Sequence, residues 1–358
     1  MTKTLKNTLT SMIIINARFL TQKTTGVQRY AIEISNRLPD YIKGMKIIYV
    51  APKGTLINKA KLNGVEIEQF GHFKGHLWEQ IDLVNFLRKK NNPILINFGG
   101  IGPVYYKNKI TYIHDLAFKY FPDSFSYIFQ KAYNIFVPIS SKNSIKVLTV
   151  SNYVKKDIED NFKIKNIEVV HAGQNEKFRN LDLNRDKIIL AVSSLDPRKN
   201  FKRVINAYSQ LNTDYKLVFV GSRSKSFSDL NLDNNLENKN IIFTGYIDDE
   251  KLINLYNRAT IFIYASLFEG FGMPPLEAQA CGCPCLVSDR TSLPEIFEDS
   301  VEYCNPESIS NIRNKLSLLI EDQEKRSQLV TKGYENIKRF SWDLSTSKIL
   351  SIIEKELS

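Results

Sequence analysis

The most informative part of the chain is the segment S-L-F-E-G-F-G-M-P-P-L-E, residues 266–277. It follows TIFIYA (260–265), an apolar run typical of a buried strand, and its Pro274-Pro275 pair suits the first turn of a helix. Two glycines allow the backbone between them to approach a ligand closely. We therefore predict a strand, a loop and a helix whose N-terminal amides face a ligand.

Ten short runs rich in β-branched residues recur along the chain, and the segments between them are long enough for a helix. Such alternation predicts two parallel sheets, each covered by helices on both faces, and we expect five strands in each sheet. The fold class is α/β, with two Rossmann-like, doubly wound domains facing across a cleft. The runs are MIIIN (12–16), KIIYV (46–50), PILIN (93–97), ITYIH (110–114), KVLTV (146–150), KIILAV (187–192), KLVFV (216–220), NIIFT (240–244), TIFIYA (260–265) and CLVSD (285–289).

The strand pattern breaks near residues 170–185, so we predict domains at 1–172 and 173–340. Residues 341–358 form a separate amphipathic helix in this prediction. Open α/β sheets bind ligands at the carboxyl ends of their strands, which places the expected site in the cleft between the domains.

The excess of positive over negative charge lies in the first part of the chain. Residues 1–170 contain 25 Lys/Arg and 12 Asp/Glu, whereas the whole chain has a net charge of +11. This asymmetry indicates either an anionic partner, such as a membrane surface or a phosphorylated molecule, or a Lys-rich composition with solvated side chains. The charge is dispersed and no nucleic-acid-binding motif is present, so we expect no nucleic acid partner.

The first residues and the cysteines both favour a soluble cytoplasmic protein. Residues 1–11 lack the apolar core of a secretory signal, and no apolar run reaches the roughly 18–20 residues that span a bilayer. Cys281, Cys283 and Cys285 follow a helix end and a Gly-x-Pro turn, and Cys304 comes later. Their spacing fits small buried thiols better than a zinc site, and we predict no metal.

A second constellation lies after the strand at 187–192, in S-S-L-D-P-R-K-N (193–200). Arg198 supplies a planar guanidinium and Lys199 a compact ammonium group at the start of a helix. Two such cations beside helix N-terminal amides suit a pyrophosphate. Alone they would more often be an exposed basic helix start. Glu269 and Glu277 suit sugar and ribose hydroxyls, although they could be a solvated loop residue and a helix-terminal charge. Together these four residues predict a nucleotide-sugar site.

At this point the sequence resembles a known family. E-G-F-G-M-P-P-L-E (269–277), followed by A-Q-A-C-G-C-P-C-L-V-S-D, is similar to the signature of the retaining glycosyltransferase family 4 (glycosyltransferase group 1, GT-B fold). L-D-P-R-K-N (195–200) resembles the donor-phosphate loop of that family. T-T-G-V-Q-R-Y near residue 26, Y-I-H-D-L (112–116) and S-W-D (341–343) also fit. The resemblance covers nearly the whole chain and is stronger in its second half.

The resemblance implies roles for individual residues. Glu269 would contact the transferred sugar, Glu277 the donor ribose, and Arg198 and Lys199 the leaving diphosphate. His114 would contact the donor sugar near its reacting carbon, although a lone histidine is more often structural. The other implied donor-binding residues lie in loops at the ends of strands, where they would offer backbone amides to the donor or let the backbone approach it closely. They are Gly26, Ser194, Gly245, Tyr246, Ile247, Gly270, Phe271, Gly272 and Met273.

The resemblance also implies a reaction. Residues 1–172 would bind the acceptor, residues 173–340 the donor, and the helix at 341–358 would return towards the first domain. The enzyme would transfer a hexose, with mannose or rhamnose favoured, from a GDP-, UDP- or dTDP-sugar with retention and without metal or other cofactor. The acceptor would be a lipid-linked saccharide in surface polysaccharide (O-antigen, lipopolysaccharide) biosynthesis. Two alternatives stay open: a nucleotide-sugar epimerase of the same fold, and a non-catalytic GT-B companion protein.

One aromatic stretch, LAFKYFPDSFSYIFQKAYNIFVPISSK (116–142), has two interpretations. It fits a core helix with an acceptor-side loop, which we favour, and it also fits a membrane-facing surface. Together with the basic first half it supports peripheral attachment to the cytoplasmic face of an anionic inner membrane.

Overall fold

The structure is a computed structural model and describes residues 12–42, 45–62, 64–194, 196–221 and 240–357. The start of the chain, on which the secretion argument rests, lies outside the described residues. So does Leu195 in the predicted phosphate loop.

Among the described residues, the first sheet has seven parallel strands in the order β3-β2-β1-β4-β5-β6-β7. Its central strand β1 pairs Ile13 with Ile47 on one side and with Ile94 on the other. The strands are β1 Met12–Asn16, β2 Lys46–Pro52, β3 Ile67–Phe70, β4 Ile94–Asn97, β5 Lys109–Ile113, β6 Lys146–Thr149 and β7 Ile167–Val169.

The second sheet has six parallel strands within the described residues, in the order β10-β9-β8-β11-β12-β13. Its centre is the pair β8 and β11, which carry the two predicted ligand loops at their carboxyl ends. The strands are β8 Asp186–Val192, β9 Lys216–Val220, β10 Ile241–Gly245, β11 Ala259–Tyr264, β12 Cys285–Ser288 and β13 Glu302–Cys304.

All ten predicted runs form strands, but the expectation of five strands in each sheet was wrong. The three additional strands are β3, β7 and β13, which have four, three and three residues and lie at sheet edges. Edge strands are covered less completely, so they do not need the continuous apolar run that marks a central parallel strand. The change from the first sheet to the second falls between Val169 and Asp186.

Helices cover both faces of each sheet. They are α1 Gly26–Tyr41, α2 Gly75–Gln80, α3 Asp82–Lys89, α4 Ala117–Tyr120, α5 Tyr127–Lys142, α6 Asn152–Phe162, α7 Phe201–Tyr208, α8 Asp249–Arg258, α9 Met273–Ala280, α10 Leu293–Phe297, α11 Ile309–Glu321, α12 Gln323–Ile337 and α13 Trp342–Leu357. Short 3-10 turns span Ala17–Thr21, Lys59–Lys61, Pro122–Ser124 and Pro197–Lys199. No helix in these described segments is both long enough and apolar enough to cross a bilayer.

The last helix, α13, packs back on the first domain, as the fold prediction expected. The ring of Trp342 lies 5.4 Å from the ring of Tyr30 in α1. Ser345 Oγ donates a hydrogen bond to the carbonyl of His171 at 2.7 Å. Burial of Ile349 and Ile353 on the same face explains why this terminal segment forms a helix against α1.

The cysteine prediction is confirmed in one respect, since all four thiols are free and buried. α9 ends at Ala280, Gly282 turns the chain with φ of 68°, and β12 begins at Cys285. Burial raises the pKa of Cys283 to about 12, which favours the neutral thiol.

Candidate active site between the two domains

The loop after β8 is shaped to present two adjacent cations. The Asp196 side chain accepts a hydrogen bond from the Arg198 amide at 2.9 Å and thereby starts the 3-10 turn Pro197–Lys199. Asn200 adopts a left-handed conformation with φ of 62°, and its side-chain amide donates to the carbonyl of Ala265 at 2.9 Å. The turn is therefore tied to the end of the neighbouring strand β11.

Arg198 and Lys199 converge on Glu269 from the loop after β11. Lys199 Nζ lies 2.6 Å from Glu269 Oε1 and 3.2 Å from the Tyr264 hydroxyl, whereas Arg198 Nη1 lies 3.9 Å from Glu269 Oε2. Burial alone would raise the pKa of Glu269, but the two cations hold it below its usual value. One carboxylate thus faces two buried cations, and these three side chains together carry a formal charge of +1, while Asp115 and Asp196 also act on Arg198.

The cluster offers a donor to a ligand. Arg198 Nη1 donates to the Phe268 carbonyl at 3.2 Å, while its buried Nε has no hydrogen-bond partner among the described residues. An unpartnered buried donor on a cation is costly, and a phosphate oxygen is the group that best relieves that cost. The sequence predicted these charges at one site. It did not predict that Glu269 pairs directly with Lys199, because residues 70 positions apart carry no local signal of contact.

The loop from 266 to 272 is held rigidly beside this cluster. Leu267 N donates to the Arg198 carbonyl at 2.9 Å, and Ser292 Oγ donates to the Glu269 carbonyl at 2.9 Å. Gly272 has φ of 101°, and a Cβ there would lie 2.7 Å from Leu293. A glycine is required at this turn, which leads directly into α9 and its Pro274-Pro275 start.

Gly270 brings this loop against the first domain. Its carbonyl accepts a hydrogen bond from Ser151 Oγ at 2.8 Å, and a Cβ at Gly270 would lie 2.3 Å from the carbonyl oxygen of His114. Gly26, the first residue of α1, lies near the same point, with Met273 Sδ 4.0 Å from its Cβ position. His114, Gly26, Gly270 and Met273 therefore meet where the two domains touch.

We expect Gly270→Ala to lower the free energy of unfolding by about 1–3 kcal/mol, because its methyl group would collide with backbone rather than with a movable side chain. Gly26→Ala is the matched control. It adds the same atom at a helix position where the nearest atom, Met273 Sδ at 4.0 Å, is at ordinary van der Waals distance, so it should be neutral or stabilising by about 0.5–1 kcal/mol. Chemical denaturation of both variants checks this, and equal losses of stability would contradict the contact at Gly270.

Glu277 is held by a residue of the first domain. Its Oε1 lies 3.0 Å from Arg29 Nη1, and its Oε2 accepts a hydrogen bond from the Tyr256 hydroxyl at 3.1 Å. Arg29 also pairs with Asp249 at 3.2 Å. Burial raises the pKa of Glu277 even though Arg29 opposes that shift. The sequence analysis quoted Arg29 in T-T-G-V-Q-R-Y but gave it no role, since only the folded chain brings α1 beside α9.

Some of the remaining predicted donor-binding residues lie exposed at the carboxyl ends of strands, and one has a buried side chain. Gly245 ends β10, and Tyr246 and Ile247 follow it, two strands from β8 on the same carboxyl edge; the Tyr246 side chain is 81% exposed. Ser194 is exposed directly after β8. Phe271 is different: its ring is buried 5.4 Å from the Phe340 ring, so only its backbone can face a ligand.

His114 lies immediately after β5. Its Nε2 lies 2.8 Å from the Phe98 carbonyl, so this nitrogen carries the proton and Nδ1 is left as an acceptor. Its ring lies 4.6 Å from Tyr112 and 5.4 Å from Tyr30. Burial lowers the pKa of His114 to about 4, so the imidazole is neutral at physiological pH.

This lowered pKa of His114 makes stability depend on pH. An unfolded histidine binds a proton near pH 6.5, whereas the buried one does so near 4, so stability is constant above pH 6.5 and falls as the pH drops from 6.5 to 4. We expect His114 to account for a loss of about 2 kcal/mol between pH 7.5 and pH 5. Urea denaturation at both pH values should show a smaller loss for His114→Gln than for the wild type. Equal losses would contradict the shift.

A cavity of about 450 Å³ opens beside His114 on the first-domain side. Its floor contains Arg18 and the fully buried Glu79, and one wall consists of aromatic residues of α5. The sequence analysis singled out the aromatic stretch but missed Arg18 and Glu79. They are 61 positions apart, and neither belongs to a recognisable motif.

Comparisons with known proteins agree with this geometry. The family of glycosyl transferases group 1 matches residues 173–336. Serotype-specific mannosyltransferase WbdA of Escherichia coli is 34% identical over 165 residues, which cover 44% of this chain and 20% of WbdA. O-antigen chain mannosyltransferase RfbU of Salmonella typhimurium is 31% identical over 207 residues, or 56% of this chain and 58% of RfbU. The matched segments thus span less than two thirds of either relative.

Among solved structures, a glycosyltransferase from Rickettsia africae superposes with a TM-score of 0.74 at 21% identity, covering 98% of this chain and 99% of that one. The similarity of fold thus extends over both domains, whereas the family match lies in the second. Residues 173–336 therefore match the glycosyl transferases group 1 family, in a chain that has the GT-B fold.

Proposed function

We propose that this protein is a retaining, metal-independent glycosyltransferase that transfers a hexose from a nucleoside diphosphate sugar to a saccharide acceptor. The observation that carries the proposal is the cluster of Arg198, Lys199 and Glu269 at the junction of the two domains. It combines a net positive charge with a carboxylate that can accept sugar hydroxyls. This is the composition that a sugar joined to a diphosphate requires.

The chemistry follows from where charge develops. As the bond from the anomeric carbon to the diphosphate breaks, the carbon gains positive character and the diphosphate gains negative charge. Arg198 and Lys199 stabilise the departing diphosphate more than the bound donor, which lowers the barrier. The departing phosphate can take the acceptor proton on the same face, which gives retention. Two fixed cations fill the role that a metal ion would otherwise have.

The transferred sugar in this proposal is a hexose, with mannose favoured over rhamnose. WbdA and RfbU are both mannosyltransferases by name, one serotype-specific and one of an O-antigen chain. Surface polysaccharide synthesis is the process that this similarity supports. Glu269 would contact sugar hydroxyls, Glu277 the ribose, and the backbone at 245–247 the base.

The donor proposal is tested by nucleoside diphosphate release from GDP-mannose, UDP-glucose and dTDP-rhamnose, each with EDTA. We expect release from one of them, and proton NMR should show the first-formed sugar product in the anomeric configuration of the donor. Release that requires an added divalent cation would refute metal independence, and an inverted product would refute retention. If no donor is consumed, the non-catalytic companion becomes the better interpretation.

We further propose that the first domain attaches to an anionic membrane surface on its cytoplasmic side and takes a lipid-linked acceptor there. The outer face of α5 supports this, since Ile128 is 80% exposed and Ile135 and Lys131 are exposed on the same side of the helix. The surplus of positive charge over residues 1–170 has the matching sign.

Liposome flotation with anionic vesicles tests the membrane proposal. The wild type should float at low salt and less so at high salt, and Ile128→Ser combined with Ile135→Ser should weaken flotation. Ile57→Ser is a matched control, because Ile57 is also exposed but lies elsewhere in the first domain. Failure of the wild type to float at moderate salt would remove the proposal without affecting the donor chemistry.

A further inference from the structure

The cavity beside His114 has one wall made of stacked rings. Phe125 and Phe129 stack with centroids 5.2 Å apart, and Phe129 and Tyr133 stack at 3.8 Å. The Phe118 ring meets Tyr133 edge-on at 5.6 Å. Phe129 lies between the nearly parallel rings of Phe125 and Tyr133, so this wall offers the cavity apolar ring edges rather than a free ring face.

The opposite side of the cavity is a buried polar network. Glu79 is 0% exposed, and its Oε1 accepts a hydrogen bond from Asn16 Nδ2 at 2.8 Å while its Oε2 lies 2.9 Å from His76 Nδ1. Arg18 Nε lies 2.8 Å from Glu79 Oε1 as an ion pair, although without the alignment of a hydrogen bond. Burial alone would raise the pKa of Glu79, but Arg18 and His76 lower it below its usual value. Glu79 is therefore ionised and balances the charge of Arg18.

Arg18 still has unused donors. Its side chain is only 10% exposed, and among the described residues its ion pairs and hydrogen bonds from the guanidinium go to Glu79 through Nε alone. Nη1 and Nη2 remain available on a side chain that lines the cavity. Gly100, with φ of 73°, lets the backbone pass close to Nη2, since a Cβ there would lie 2.9 Å from it. The guanidinium is fixed in place before any ligand arrives.

The charges around the cavity cancel. The lining includes two cations, Arg18 and Lys23, and two anions, Glu79 and Asp115, while His114 is neutral. An additional carboxylate or phosphate deep in this cavity would lack a free counter-charge, which makes its burial costly. A ring with hydroxyl groups on its edge and C–H groups on its face fits both the free donors and the aromatic wall.

We propose that this cavity binds the terminal, uncharged sugar residue of the acceptor, with Arg18 donating to its hydroxyls and the edges of the Phe129 and Tyr133 rings beside its apolar face. This inference rests on the proposed function, because the cavity opens at His114, beside the donor cluster. Glu79 is a positioning residue, because it holds Arg18 in place and balances its positive charge. The balanced charge makes the cavity prefer a neutral sugar over an acidic one.

The test compares octyl α-mannoside with octyl α-glucuronide by saturation-transfer NMR and titration, with a stabilising nucleoside diphosphate present. The wild type should bind the mannoside more tightly. Arg18→Gln and Phe129→Ala should each weaken mannoside binding by about 10- to 100-fold, while Arg88→Gln, on the exposed surface of the same domain, should not. Glu79→Gln should shift preference towards the glucuronide, since it leaves Arg18 unbalanced.

Several results would overturn the cavity assignment. They are tighter binding of the glucuronide by the wild type, binding of neither glycoside at millimolar concentration, and equal effects of Arg18→Gln and Arg88→Gln. Thermal stabilisation by the nucleotide shows that each variant is folded, and Phe129→Ala keeps the test decisive if a charge variant does not fold. A wild type that no nucleotide stabilises would instead refute the proposed function itself.

Discussion

Arg198→Ala is expected to lower the rate of nucleoside diphosphate release by about 100- to 1,000-fold, the largest single effect that the site predicts. The physical reason is that its guanidinium is buried, carries an unpartnered Nε, and faces the place where negative charge develops as the donor breaks. A steady-state assay of diphosphate release from the active donor checks this. The loss should appear in kcat as well as in kcat/KM.

Arg258→Ala is the matched control for this prediction. Arg258 lies in the same domain on α8 and pairs with Asp186 at 3.1 Å on the surface. Its removal should change the rate by less than about twofold, because exposed ion pairs contribute little. If Arg198→Ala keeps the wild-type kcat, the diphosphate does not leave through this cluster and the proposed mechanism is wrong.

Glu269→Ala is expected to destabilise the fold by about 3–5 kcal/mol, the second large effect. It leaves Lys199 and Arg198 as buried cations without their carboxylate, and an uncompensated buried charge is far more costly than a missing ion pair. Chemical denaturation of Glu269→Ala, Lys199→Ala and the double variant measures it. The double variant should be more stable than the sum of the two single losses predicts.

Additive losses in that cycle would contradict the Lys199–Glu269 contact. The pH dependence offers an independent check. Because the pKa of Glu269 is lowered in the folded state, its contribution is present above the unfolded pKa and is lost as the pH falls through the folded value. The stability difference between the wild type and Glu269→Ala should therefore shrink in acid.

Most of the fold could be predicted because central parallel strands are buried on both faces. KIILAV and TIFIYA are continuous apolar runs, and they became the adjacent central strands β8 and β11. The edge strand Ile67–Phe70 was missed for the opposite reason, since its I-E-Q-F sequence is apolar only at its two ends and neither alternates nor forms a continuous apolar run.

The features of the site that depend on local sequence could be predicted. The loops that carry Arg198 and Glu269 follow strands and contain diagnostic glycines and prolines, so their positions in the chain could be predicted. The side-chain pairs between residues far apart in the sequence could not be predicted. Arg29 reaches Glu277 from 248 positions away, and Arg18 pairs with Glu79 from a different segment of the first domain. Contacts of this kind depend on strand order and packing, which no short motif encodes.

The interpretation of the aromatic stretch also changed in detail. Sequence analysis offered a core helix or a membrane-facing surface for residues 116–142, whereas α5 presents two apolar sides. Tyr133 lines the cavity, and Ile128 lies on the outer surface. The membrane role remains a proposal, but the helix has an exposed face on which such a role could depend.

The most direct test of the central claim is the thermal stability of the purified protein with GDP, UDP or dTDP, each in EDTA. We predict that one nucleotide stabilises the wild type by roughly 2.7 kcal/mol at about 100 times its dissociation constant, and that Arg198→Ala with Lys199→Ala abolishes this gain. If none of the three stabilises the wild type at millimolar concentration, or if the double variant is stabilised equally, Arg198 and Lys199 do not bind a donor diphosphate and the account is contradicted.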